Sequence, residues 1–134
     1  MSAFSNYMEE AIVKYFLQCD DAQANPTNTY LGLFTNASPE SWTDDTVFAE
    51  PTYGNYARQE INFTNYASGQ TKNDGVIGFP ANDAVSPVTV TGIGVYDALT
   101  GGNLLMWSKL VTAKELANGD TISFANNAIV FTIN

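Results

Sequence analysis

Histidine is missing from the 134 residues, cysteine occurs once, at Cys19, and only five residues are basic. Without histidine, Ser-His-Asp and Cys-His catalysis are out of reach and the commonest zinc ligand is gone. A lone thiol cannot form an intrachain disulfide; Cys19 is expected instead as a small apolar residue closing the first helix. Fourteen acidic residues against five basic ones give a net charge of −9. With no Lys/Arg cluster to offset it, that charge repels nucleic acid and anionic membrane, and it keeps free copies apart. No run approaches the roughly 18 apolar residues of a membrane span. The opening MSAFSNYMEEAIVKYFLQCDD carries carboxylates where a signal peptide has a basic start and an apolar centre. Synthesis in the cytoplasm without Sec-type export is therefore expected.

What remains is 45% apolar residues, enough for the core of one domain. Phe4, Tyr7, Met8, Ala11, Ile12, Tyr15 and Phe16 recur at steps of three and four, the stripe of an amphipathic helix spanning residues 1–19. Ser2 or Ser5 can cap it, and Glu10 precedes Lys14 by one turn. Residues 20–28 are polar, contain Pro26, and read as a linker. Beyond them the period changes to two. TYLGLF (29–34), NYARQEINF (55–63), GVIGF (75–79), VTVTGIGVYD (88–97), NLLMWSKL (103–110), DTISF (120–124) and AIVFTIN (128–134) are strand candidates. Seven short strands between Gly, Asn, Asp and Pro predict an antiparallel β-sandwich over residues 29–134, in a mainly β chain forming one domain, 1–134. In the last strand Ile129, Phe131 and Ile133 form the expected core face.

The glycine-rich stretch GIGVYDALTGGNLLMWSKL could pass for a phosphate loop. Such a loop must open a helix, and here a second apolar run follows, so the glycines belong to a β-hairpin. The adjacent pairs Asp20-Asp21 and Asp44-Asp45, with Glu40, Glu50 and Glu60, lack a spacing that would face two carboxylates across a cleft. They also lack the calcium-loop pattern. No catalytic residue, metal ligand or cofactor is therefore expected. Arg58 is expected to pair with Glu60 or with a carboxylate on a neighbouring strand. The long connection Thr35–Tyr53 contains Trp42 and Phe48, which either cover an open end of the sandwich or present a binding surface.

Several motifs together resemble one family. Leu33-Phe34-Thr35, Tyr56-Ala57-Arg58-Gln59, Phe79-Pro80-Ala81, the run Tyr96 to Leu105, and Gly119-Asp120 are similar, end to end, to small bacteriophage virion proteins commonly labelled tail-fibre-like. The resemblance implies a short helix followed by a β-sandwich, location in the virion and no enzymatic activity. It implies assembly onto other capsid or tail proteins, and onto further copies of itself as a homo-oligomer. Two virion roles fit, a capsid decoration or cement protein and a small tail-fibre component. The lack of any repeat or heptad with which to extend a shaft tilts the expectation towards decoration. A carbohydrate-binding adhesin module for a host glycan is the alternative, with Trp42, Tyr53 and Tyr56 as stacking residues. The candidate partner contacts are Phe4, Tyr7, Met8, Ile12, Phe16, Trp42, Phe48 and Tyr53.

Overall fold

The computed structural model describes residues 2–22 and 24–132. Among them the chain runs through β1 (Ser2–Phe4), α1 (Asn6–Phe16), β2 (Thr29–Phe34), β3 (Gln59–Ile61), β4 (Gln70–Lys72) and β5 (Ile77–Gly78). It continues through β6 (Val88–Tyr96), β7 (Leu104–Leu116), β8 (Ser123–Phe124) and β9 (Val130–Thr132). Each of the seven anticipated runs contains a strand; β1 and β4 join them. A five-stranded sheet in the order β1-β7-β6-β2-β3 forms one layer, and the ribbons β4-β9 and β5-β8 form the other. All pairings are antiparallel, and the architecture is a β-sandwich.

Alternation decides which side chains meet between the layers. Leu31 and Leu33 of β2 and Ile93 and Val95 of β6 face inward, against Ile77, Phe79, Ile122, Ile129 and Phe131 from the ribbons and their flanks. Each such side chain, once buried, contributes roughly 1.5–3 kcal/mol. Ile129 and Phe131 are buried while Val130 is exposed, as expected; Ile133 lies outside the described residues. Two fully buried asparagines tie the irregular connections to this core. Asn73 donates to the carbonyls of Gly75 and Ala125 and accepts from the Ile129 N–H. Asn82 donates to Ser86 and Leu116 and accepts from Ala84. Their amides replace the ladder bonds that short ribbons cannot supply.

The opposite face of the sheet carries a second cluster of Phe34, Trp42, Tyr96 and Trp107, with Phe48 and Leu104 against it. Here the glycines of β6 find their reason. A Cβ on Gly92 would stand 2.5 Å from the Trp42 ring, and one on Gly94 would collide with Phe34. The rings lie directly on bare backbone, so the glycines serve close approach, in a hairpin as expected. Trp42 and Phe48 therefore fold back over the sheet. The connection that brings them includes a short 3-10 turn, Pro39–Ser41. Trp42 donates its indole N–H to Ala37 and Trp107 donates to Asp44.

Strand β7 departs twice from simple alternation. Tyr96 pairs with Leu104 and Val95 with Met106, leaving Leu105 as an extra residue; Leu105 and Met106 both join the core while Trp107 returns to the outer face. Further along, Gly92 pairs with Lys109 and Val90 with Lys114. Residues 110–113 thus stand opposite Thr91 alone, a four-against-one bulge in the ribbon.

The N-terminal prediction needs correction at both ends. Phe4 is not on the helix: it lies in β1, paired with Met106. Ser5 is the cap, accepting from the Met8 N–H at 3.1 Å and donating its hydroxyl to the Leu104 carbonyl. The helix ends at Phe16, three residues before Cys19. Gln18 takes a left-handed conformation (φ 56°), and the N–H groups of Gln18 and Cys19 return to Tyr15 and Lys14. This is a Schellman closure built without its usual glycine, so the sequence carries no stop signal there. Cys19 is exposed, contrary to its expected packed role.

Candidate docking face

Ser5 fixes the start of α1 against β7, and Tyr7 and Met8 pack on the edge of the core. No residue of α1 is fully buried. Its last turn is the most exposed apolar segment of the helix: Val13, Tyr15, Phe16 and Leu17 face solvent, Phe16 at 74% and Leu17 at 72%. Tyr15 and Phe16 meet edge to face, ring centroids 5.3 Å apart. Lys14 holds the turn below them, with 2.6 Å ion pairs to Glu10 and Asp21. Hydrogen bonds to Asp21 and Glu10 raise the Lys14 ammonium above the ordinary lysine value.

Between α1, residues 24–26 and the sheet runs an apolar groove of about 520 Å³, floored by Phe63, Val95, Leu105 and Met106. Ala11, Ile12 and Phe16 form its helical wall, and Asp97 lies at its margin. A groove of this kind, continuous with exposed aromatic surface, suits an inserted apolar side chain.

The candidate contact residues divide accordingly. Tyr7, Met8, Ile12 and Phe16 line this groove, whereas Phe4 is half-buried in the edge strand. Trp42 and Tyr53 are 9% and 4% exposed, and Phe48 is half-buried. Phe48 stacks on Phe34 with centroids 4.2 Å apart. The Tyr53 hydroxyl donates to Pro80, and its ring meets Tyr56 edge to face. Neither Trp42 nor Tyr53 offers a free ring face on which a sugar could stack.

The residue that sequence reasoning misplaced most is Arg58. It does not pair with Glu60, because the strand begins only at Gln59. Its Nε and Nη2 donate to Glu50 at 3.0 and 2.9 Å, and its Nη1 donates to the carbonyls of Ala98 and Gly101, each at 2.8 Å. The guanidinium lies 3.5 Å from the centre of the Tyr96 ring. Glu50 also accepts from the Tyr56 hydroxyl at 2.6 Å, and that oxygen accepts from the Leu33 N–H. Burial, reinforced by Glu50, pushes the Tyr56 phenol far above its ordinary value; burial first and then Glu50 raise Tyr96 to about 12. These four side chains clamp the long loop to the hairpin. Within the clamp, Arg58, Glu50 and the Tyr56 hydroxyl are bonded to one another or to backbone, and Tyr96 contributes its ring face.

Three of the four aspartates in the acidic pairs make structural bonds. Asp44 accepts from Trp107, Asp45 accepts from Asn6, and Asp21 holds Lys14. Among the described residues no group of three or more Cys, Asp or Glu is placed to hold a metal ion. No described helix is long and apolar enough to cross a membrane.

No curated protein matches the sequence. The family described as Podophage GP4 fiber I protein gp80 matches residues 3–132, nearly the whole chain. The match takes in the helix, the clamp and both sandwich layers, and the chain therefore belongs to this family of bacteriophage fibre proteins, structural components of the virion.

Proposed function

We propose that this chain is a non-enzymatic component of the tail appendage, seated on a neighbouring virion protein through the α1 groove and the exposed end of the helix. The observation that carries the reading is a contrast. Elsewhere the aromatic clusters are folded inward, yet Val13, Tyr15, Phe16 and Leu17 remain in solvent beside an open apolar groove. Exposed apolar surface of this extent marks an interaction site. The fibre family supports a tail position over the capsid-decoration role, and the inward rings of Trp42 and Tyr53 support protein contact over glycan stacking. The structural bonds made by Glu50, Tyr56, Arg58, Asp21, Asp44 and Asp45 support a structural rather than catalytic use of these residues.

The test is quantitative mass spectrometry of purified particles carrying wild-type chain or Phe16→Asp. A tail component occupies one vertex, so a few dozen copies or fewer per particle are expected, on the order set by single-vertex symmetry. The variant should fold normally and be missing from the particle. A copy number approaching that of the major capsid protein would refute the tail position, and normal loading of Phe16→Asp would refute the docking face.

A further inference from the structure

We infer that the groove is filled by the β7 bulge of a second copy, in a head-to-tail contact. This rests on the docking-face reading above and names its occupant. The bulge looped out opposite Thr91 holds Val111, an apolar side chain with its full surface in water. Lys109 and Lys114 bracket it. They are two of only five basic residues in the chain, and neither makes an ion pair among the described residues. The groove has the complementary character. Its floor is apolar, Asp97 stands at its margin, and α1 with the turn after it carries Glu9, Glu10, Asp20 and Asp21 against the single Lys14. A protruding valine between two lysines thus matches an apolar slot on an acidic surface.

Placement makes the contact intermolecular. Leu105 on the groove floor and Lys109 at the root of the bulge are four strand residues apart, roughly 13 Å along a rigid ribbon. One copy cannot turn its knob into its own groove. Because knob and groove are different surfaces, the contact is heterologous: it closes into a ring if the rotation permits and otherwise propagates. Lysine against carboxylate also gives the like-charged chains, −9 each, one orientation in which local attraction opposes the general repulsion.

The experiment uses full-length chains with Cys19→Ser, one carrying Val111→Cys and the other Phe16→Cys. Under mild oxidation the mixture should give a disulfide-linked pair absent from either chain alone. Sedimentation of the unmodified chain should show concentration-dependent association, weakened at least about tenfold by Val111→Asp and by Lys109→Glu/Lys114→Glu. Val111 is fully exposed, so Val111→Asp should melt like wild type. A wild-type chain that stays monomeric at several hundred micromolar would overturn the inference. So would a Val111→Cys chain that pairs chiefly with itself. Particles that load Val111→Asp normally but reject Phe16→Asp would also overturn it while sustaining the docking face; loading of both would remove both readings.

Discussion

Replacing Arg58 by methionine keeps the aliphatic stem and removes the guanidinium. Glu50 then loses its Arg58 bonds and retains the Tyr56 hydroxyl, the carbonyls of Ala98 and Gly101 each lose a donor, and the Tyr96 ring loses its cation. Breaking a buried pair by removing one partner costs about 3–5 kcal/mol. The Arg58 side chain is 8% exposed but Glu50 is 22% exposed, so water recovers part of the loss. The lower end, about 3 kcal/mol, is the expected cost. For a domain of this size that lowers the melting temperature by roughly 10 °C. Lysine provides a useful control, because a point charge cannot bridge Glu50 and two carbonyls at once; Arg58→Lys should restore less than half the loss. Urea unfolding followed by tryptophan emission measures both variants, since Trp42 lies in the clamped loop and packs on Trp107 of the sheet beneath it. A methionine variant within 1 kcal/mol of wild type would show that the clamp is ornamental, and full rescue by lysine would refute the bridging argument.

Two further outcomes follow from the aromatic face. Gly94→Ala places a methyl against Phe34 and should cost about 1–3 kcal/mol through overpacking, with altered near-UV circular dichroism from the neighbouring indoles; an unchanged spectrum and stability would contradict the close approach. Tyr53, Tyr56 and Tyr96 have phenol pKa values raised above their unfolded value near 10, in each case chiefly by burial. Stability from these groups is therefore complete below pH 10 and declines as the pH rises towards their folded values. Absorbance at 295 nm should show three tyrosines ionising only as the protein unfolds in alkali, and their ionisation in step with free tyrosine while the fold persists would exclude the burial.

Where alternation was clean, the sequence revealed the structure. TYLGLF matches β2 residue for residue, and the face assignment of Ile129 and Phe131 follows from period two. Local pattern could not show strands created by pairing. Gln70-Thr71-Lys72 has no apolar rhythm and becomes β4 through its partner β9; Ser2–Phe4 becomes β1 because β7 offers an edge. Phe4 also fits the helical stripe, and only Ser5, as cap, separates the two periods. Glu50 stands eight residues before Arg58 in irregular chain, where no periodicity links them. Bulges were equally invisible, since an extra residue changes the face of all that follow without changing composition. Of the candidate docking face, the helical residues that line the groove share the stripe read from their spacing. The groove itself was not legible, because its floor comes from β6, β7 and the segment around Phe63.

The bare strip of backbone beneath Trp42 and Phe34 ties two distant parts of the gene together. A chain that replaced Trp42 with a small residue would uncover Gly92, leaving a hollow that a larger residue at 92 could fill; a chain that first acquired a side chain at 92 would have to expel the indole. Neither change is tolerated well alone, so substitutions at 42 and 92, and likewise at 34 and 94, are expected to arise in pairs. Within the family the long connection between β2 and β3 should therefore drift in concert with the hairpin strand it covers, as an inherited unit, and loop grafting between members would succeed only when the glycine positions travel with it.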